Sequence, residues 1–168
     1  IRLSLVGSEM CIRDSIGYWC AEILAGHGAR VLLGCRSTER AEVAASSIRA
    51  HAPGADLGIV PIDLGSLVST TAAAASVGER IDAVICNAGV KAADRGARTA
   101  DGLDLMVGTN FVGHFALIAR LGDVLADDAR VVAVGSLAHR FAEIDPATLA
   151  QPWTCLLYTS DAADERSS

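Results

Sequence analysis

Aromatic residues are scarce, at 4% of the 168 residues, and lysine occurs once, at Lys91. A β-sandwich core built on large rings is therefore disfavoured, while 16 glycines and repeated alanine clusters favour helices packed closely on a sheet. Basic residues are also few, 14 against 20 acidic for a formal charge of −6, and they form no stripe, so no nucleic-acid partner is expected. No apolar run approaches the roughly 20 residues needed to span a bilayer. The start lacks the charged, apolar and small-residue zones of a signal peptide, so the expectation is a cytoplasmic protein with no membrane partner. The five cysteines, Cys11, Cys20, Cys35, Cys86 and Cys155, are odd in number and hold no C-x-x-C pair, which argues against a disulfide framework or a zinc cage. They read as small buried hydrophobes. His27, His51, His114 and His139 lack the i,i+4 spacing of a metal-binding helix, so no metal is expected. What is abundant is apolar content, 51% against 20% charged, enough for one domain with a real core.

The two ends have a character of their own. The codons ATG TGT ATA AGA GAC can encode Met10 to Asp14, and the reverse complement of that DNA, lengthened by the first base of an AGC or AGT codon for Ser15 and read from there, encodes residues 155 to 159, Cys-Leu-Leu-Tyr-Thr. Inverted-repeat DNA of this kind resembles the mosaic ends of transposon-based sequencing libraries, and LVGSEMCIRDS and CLLYTSDAADE look like complete adapter translations. Residues 1–15 and 155–168 are therefore expected to be non-native and set aside from fold reasoning. Residues 16–154 are expected to be an internal fragment of a natural gene.

Within 16–154, apolar β-branched runs alternate with helical stretches. Arg30 to Cys35, Leu57 to Ile62, Ile81 to Cys86 and Arg130 to Val134 are short and bounded by charged or turn residues, as covered parallel strands should be. Segments 17–28, 38–51, 66–78 and 101–125 have helical length and composition, with Ser37, Ser66 and Asp101 as expected N-caps. This alternation predicts an α/β fold, a doubly wound, mostly parallel sheet of Rossmann type, here truncated.

Ligands of such sheets bind beyond the carboxyl ends of the strands, so residues following each run are the candidates. After the second strand comes Cys35-Arg36, a guanidinium where many dinucleotide folds place a carboxylate for the ribose 2′-hydroxyl; this favours a 2′-phosphate and hence NADP over NAD. After the third comes Asp63, suited to an adenine amino group and equally to capping the helix near Ser66. After the fourth come Asn87, Ala88 and Gly89, an amide and two small residues that let backbone approach a ligand. After the fifth, Ser136 sets a hydroxyl at the same edge, and a nearby helix offers Asn110 in GTNFVGHF, whose Gly113 suits tight packing on the sheet.

Taken in order, IGYWCAEILAGHGARVLLGCR, PIDL, ICNAGV, TADGLDLMVGTNFVGHF and RVVAVGSLAHR resemble the short-chain dehydrogenase/reductase family, in its retinol-dehydrogenase-like branch. The resemblance covers 16–154, which then reads as a partial NADP-binding Rossmann domain. It implies an oxidoreductase that transfers a hydride between nicotinamide and a carbonyl or alcohol substrate, a small molecule. Gly17 matches the last glycine of the family's T-G-x-x-x-G-x-G phosphate loop, but the two earlier glycine positions fall on Ser15 and Cys11. Cys86 replaces the first Asn of N-N-A-G, leaving Asn87, Ala88 and Gly89 in register. Ser136 matches the serine that polarises the carbonyl and Asn110 the residue that helps hold a proton relay. The family's Tyr-x-x-x-Lys pair is absent, since Tyr158 is followed four residues on by Ala162. Without that cation a phenol keeps a pKa near about 10 and is a poor acid or base at neutral pH.

The expectation is therefore an NADP-dependent enzyme present here as a fragment of negligible activity, the alternative being a non-catalytic dinucleotide-binding module. Homo-oligomerisation of the parent protein stays open, because the helices the family usually uses for association run past Thr154. A methyltransferase would want an acidic residue where Cys35 stands, and a receiver domain an acidic cluster at its first strand and a phosphoacceptor Asp, neither of which is evident.

Overall fold

A computed structural model describes residues 2–6 as backbone, together with 15–91 and 96–136. In chain order these form β1 (Arg2–Val6), α1 (Ile16–Gly26), β2 (Arg30–Cys35), α2 (Thr38–His51), β3 (Leu57–Pro61), α3 (Leu67–Ser76) and β4 (Ile81–Cys86). There follow α4 (Leu105–Val107), a π-helical turn (Gly108–Gly113), α5 (His114–Arg120), a 3-10 turn (Gly122–Val124) and β5 (Leu125–Ala133). The strands lie in the order β3-β2-β1-β4-β5 and every pairing is parallel. The α/β, doubly wound sheet expected from the alternation is thus the fold observed.

Residues in a strand alternate between faces, and the core shows it. Val31 and Leu33 of β2 join Tyr18, Ala21, Ala25, Ala45 and Ile48 under α1 and α2, whereas Leu32 joins the opposite cluster with Ala73, Ala74, Val84, Leu117 and Leu121 under α3 and α5. Alanine leads the helix side of the first cluster and recurs at Ala73 and Ala74 in the second, which lets the helices lie close to the strands. At the amino ends of the strands, Arg30 donates Nε–H to both carboxylate oxygens of Glu79 at 2.9 Å and also pairs with Asp56, joining the starts of β2, β3 and β4.

The segment set aside as non-native contributes its residues 2–6 as the central strand, paired with β2 on one side and β4 on the other. Two details depart from the sequence-based expectation. The stretch 101–125 is not one helix but α4, the π-helical turn, α5 and the 3-10 turn, and its N-cap is Asp104, whose carboxylate accepts from Met106 and Val107 N–H. Asp101 instead accepts from the backbone N–H of Leu67 at 2.8 Å, so it caps α3 from a distance. Lastly, β5 begins earlier than expected: Ile81 pairs with Leu125 but Ala83 with Arg130, so the intervening chain bulges and regular pairing starts only at Arg130. Val131 and Val132 on it are about half exposed, at 47% and 48%.

The π-helical turn ends on Gly113, where an added Cβ would stand 2.3 Å from the Leu64 carbonyl oxygen. A methyl there forces the helix off the β3–α3 connection. Gly113→Ala should therefore lower the unfolding free energy in urea by about 3 kcal/mol. Gly122→Ala, with no atom within 4 Å of the new methyl, should shift it by less than about 0.5 kcal/mol.

Candidate functional site

Parallel pairing puts the carboxyl ends of the strands along one edge: Cys35 stands opposite Pro61, Val6 opposite both Gly34 and Cys86, and Cys86 opposite Ala133. Arg36, Asp63, Asn87 and Ser136 each follow a strand on that edge, as the sequence predicts. Arg36 and Ser136 are exposed; Asp63 and Asn87 are half-buried. The β4–β5 ladder reaches its last bond where Val134 N–H donates to the Cys86 carbonyl, and Ser136 lies just past it.

Beyond Cys86 the chain leaves the ladder, and its backbone groups need other partners. Asn110 supplies them for Val90: its Oδ1 accepts from Val90 N–H at 2.8 Å and its Nδ2 donates to the Val90 carbonyl at 2.9 Å. A single side chain thus closes a two-bond ring on the segment after the N-A-G turn. Asn110 belongs to the π-helical turn, in which one extra residue per turn shifts the register of the side chains; such turns recur at functional sites.

Gly89 lies beside the Asn110 side chain. A Cβ added to it would meet Asn110 Oδ1 at 3.7 Å, ordinary contact, so packing within the protein does not demand glycine there. Its backbone is exposed at the edge. Asp63 is engaged locally: Oδ1 accepts from Gly65 N–H at 2.8 Å, while its own N–H donates to Ser69 Oγ at 2.9 Å, which leads the chain into α3. Its Oδ1 thus closes a turn onto Gly65 ahead of α3, whose N-cap is Ser66.

At the other end of the site, Gly17 is buried in the first turn of α1. Ser15, which stands where the resemblance calls for a glycine, is the N-cap, and its hydroxyl accepts from Tyr18 N–H at 3.2 Å. That amide is one of the donors a phosphate would take from a helix start, and the protein already uses it. Residues 7–14, including the Cys11 position, lie outside the described residues.

The sequence reading missed His114. It lies four residues after Asn110 and is 7% exposed, with its Nε2–H donating to the Ala88 carbonyl at 2.9 Å. Its Nδ1 is buried and finds no hydrogen-bond partner among the described residues. Burial holds the imidazole's pKa below its ordinary 6.5, the bond to Ala88 only partly opposing this. Burial likewise pushes up the pKa of the Cys86 thiol, which stands where the related motif has an amide, so it remains a protonated, inert filler. Among the described residues no group of three or more His, Cys, Asp or Glu could hold a metal. No described helix is long and apolar enough to cross a membrane.

Comparison with known proteins gives matches over most of the chain. Residues 11–149 match a family model described as enoyl-(acyl carrier protein) reductase. Human retinol dehydrogenase 13 is 36% identical over 153 residues, covering 88% of this chain and 45% of its own length. The chain spans less than half the length of the curated relatives it matches. Among solved structures, an uncharacterized protein of Mycobacterium Paratuberculosis is 33% identical with a TM-score of 0.76, the match covering 89% of this chain and 51% of that one. The RhlG protein of Pseudomonas aeruginosa, solved as an NADP active-site complex, is 27% identical with a TM-score of 0.67, covering 90% of this chain and 60% of that one.

The depressed pKa of His114 ties stability to pH. In the unfolded chain the ring takes a proton as pH falls below 6.5, while the folded ring stays neutral to lower pH. The stability contribution is complete above that value and is lost as pH falls through the folded pKa. Urea midpoints should therefore drop between pH 7 and pH 5, about where carboxylates have yet to titrate. The drop should shrink in His114→Gln.

Proposed function

The chain belongs to the short-chain dehydrogenase/reductase family of oxidoreductases, on its retinol-dehydrogenase-like side, and from that premise we propose that it is part of an NADP-dependent enzyme. Its reaction would transfer a hydride between nicotinamide and a carbonyl or secondary alcohol on a small molecule, in the cytoplasm. The carrying observation is the clamped turn at the carboxyl edge, where Asn110 holds Val90 beside the exposed Gly89 while Ala88 packs against the core beneath.

When bound, the dinucleotide supplies the hydride chemistry itself. The residues present fit it along part of its length. Asn87, Ala88 and Gly89 offer backbone surface for the ribose and ring, and the exposed Arg36 offers a charge-assisted fork for a 2′-phosphate where a carboxylate would repel one. The bound cofactor named in the solved RhlG complex supports NADP over NAD. Ser136 Oγ would donate to the substrate oxygen and Asn110 would help hold the proton relay.

The remaining parts are poor. The start of α1 spends Tyr18 N–H on Ser15 rather than on a phosphate. The proton donor is missing too: Tyr18 is buried between α1 and α2 with its hydroxyl donating to Glu22 at 2.6 Å and lying 2.8 Å from Ser47 Oγ. Tyr158 has no lysine four residues later. We therefore take 16–154 as a partial cofactor-binding domain and the flanking 1–15 and 155–168 as adapter translations, with negligible turnover in this chain.

A fluorescence titration should show weak, saturable NADPH binding. Arg36→Ala should weaken NADPH about tenfold, roughly the worth of one charge-assisted hydrogen bond, and leave NADH nearly unchanged. Equal losses for both cofactors would defeat the 2′-phosphate assignment, and family-like rates on small aldehydes or ketones would defeat the fragment reading. Saturable binding without turnover is also what a non-catalytic dinucleotide module would show. Genomic sequence separates the two, since the enzyme reading requires the open reading frame to run past Thr154 to a Tyr-x-x-x-Lys pair.

A further inference from the structure

We propose that His114 is a positioning residue for the cofactor edge, its Nε2–H holding the Ala88 carbonyl while Asn110 holds both backbone groups of Val90, so that the pair sets the shape of the Asn87–Ala88–Gly89 turn. This rests on the dinucleotide reading above and adds to it a residue outside the resemblance.

A polar atom buried without a partner is destabilising, and among the described residues His114 has one at Nδ1. A leucine would fill the same volume without that penalty. What the histidine supplies that a leucine does not is its other nitrogen, which donates to Ala88 at 2.9 Å. That bond fixes the Nε2–H tautomer, and burial keeps the ring neutral, so the donor is permanent near neutral pH.

The placement is specific. Past the last β4–β5 bond at the Cys86 carbonyl, the Ala88 carbonyl and the Val90 N–H and carbonyl are all taken by side chains from one segment, residues 110 and 114. Gly113, pressed on the Leu64 backbone, anchors that segment between its two clamping residues. The turn between the clamps carries its small residues toward the edge, where a loosely held backbone would lose the fit a ligand needs.

The test uses the full chain labelled with nitrogen-15. Ring nitrogens of His114, read by long-range proton–nitrogen correlation at pH 7, should show the neutral Nε2–H tautomer; an Nδ1–H tautomer or an imidazolium would overturn the proposal without any variant. Three substitutions then separate the donor from bulk. His114→Gln keeps a donor where Nε2 stands, His114→Asn moves it to the Nδ1 place, and His114→Leu removes it. Leu and Asn should speed amide exchange at Val90, whose N–H is held by Asn110, about tenfold, the equivalent of one hydrogen bond, leaving Val31 to Leu33 unchanged, and Gln should restore the slow rate. Acceleration spread equally over β2, or none at the turn, would make His114 a filler.

NADPH titration of the same proteins completes the test. The Leu variant should bind several-fold more weakly than the Gln variant. A loosened turn with unchanged NADPH affinity refutes the role toward the cofactor. A wild-type chain that binds no NADPH at all instead removes the function proposed for this chain, with the exchange data still deciding what His114 does to the turn.

Discussion

A helix can lie across the carboxyl edge of this sheet only where it presents backbone instead of side chain, and Gly113 is that point. The space available to its missing Cβ ends 2.3 Å away on the Leu64 carbonyl oxygen. Because the helix sits so low, the short amide of Asn110 and the ring of His114 reach backbone groups that a helix standing off by another methyl would miss. The π-helical turn and α5 are thus located by a contact with the β3–α3 connection, and the turn after β4 is located by them in turn. Two strand ends are tied through one glycine.

Much of this architecture is written locally. β2, α2 and β4 run between the residues that periodicity and caps suggest, since a β-branched run flanked by charge, or a serine before an alanine-rich stretch, decides matters within a few residues. Ser37 and Ser66 cap as expected, accepting from Arg40 and Ser69 N–H. Where the outcome depends on distant partners, local signals mislead. Asp101 and Asp104 look alike as helix starters, and the choice between them is made by Leu67, whose N–H lies within reach of Asp101 once α3 is packed. The π-helical turn leaves no compositional mark at all.

The site divides the same way. Asn110, Asn87, Ala88 and Gly89 are visible as strings that resemble a known family, and the structure shows how Asn110 meets the segment after the turn. His114 stands in the same string, yet its meaning depends on its burial and on a carbonyl 26 residues earlier in the chain. Composition describes a histidine on a helix; only packing turns it into a donor with one fixed tautomer. The start of α1 shows the converse, since Ser15, a departure from the family's glycine, takes the Tyr18 amide for the protein's own use.

The bulge in β5 has a consequence for handling the protein. Among the described residues β5 pairs with β4 alone. Its early half is broken by the bulge and carries exposed Asp127 and Asp128, which blunt it against strand addition. From Arg130 onward, regular geometry and exposed valines return. That later half is a ready template for a strand from a neighbouring chain. Overproduction should thus fill inclusion bodies with material cross-linked by added strands, and the remedy lies in a few charged replacements at Val131 or Val132 rather than in the core.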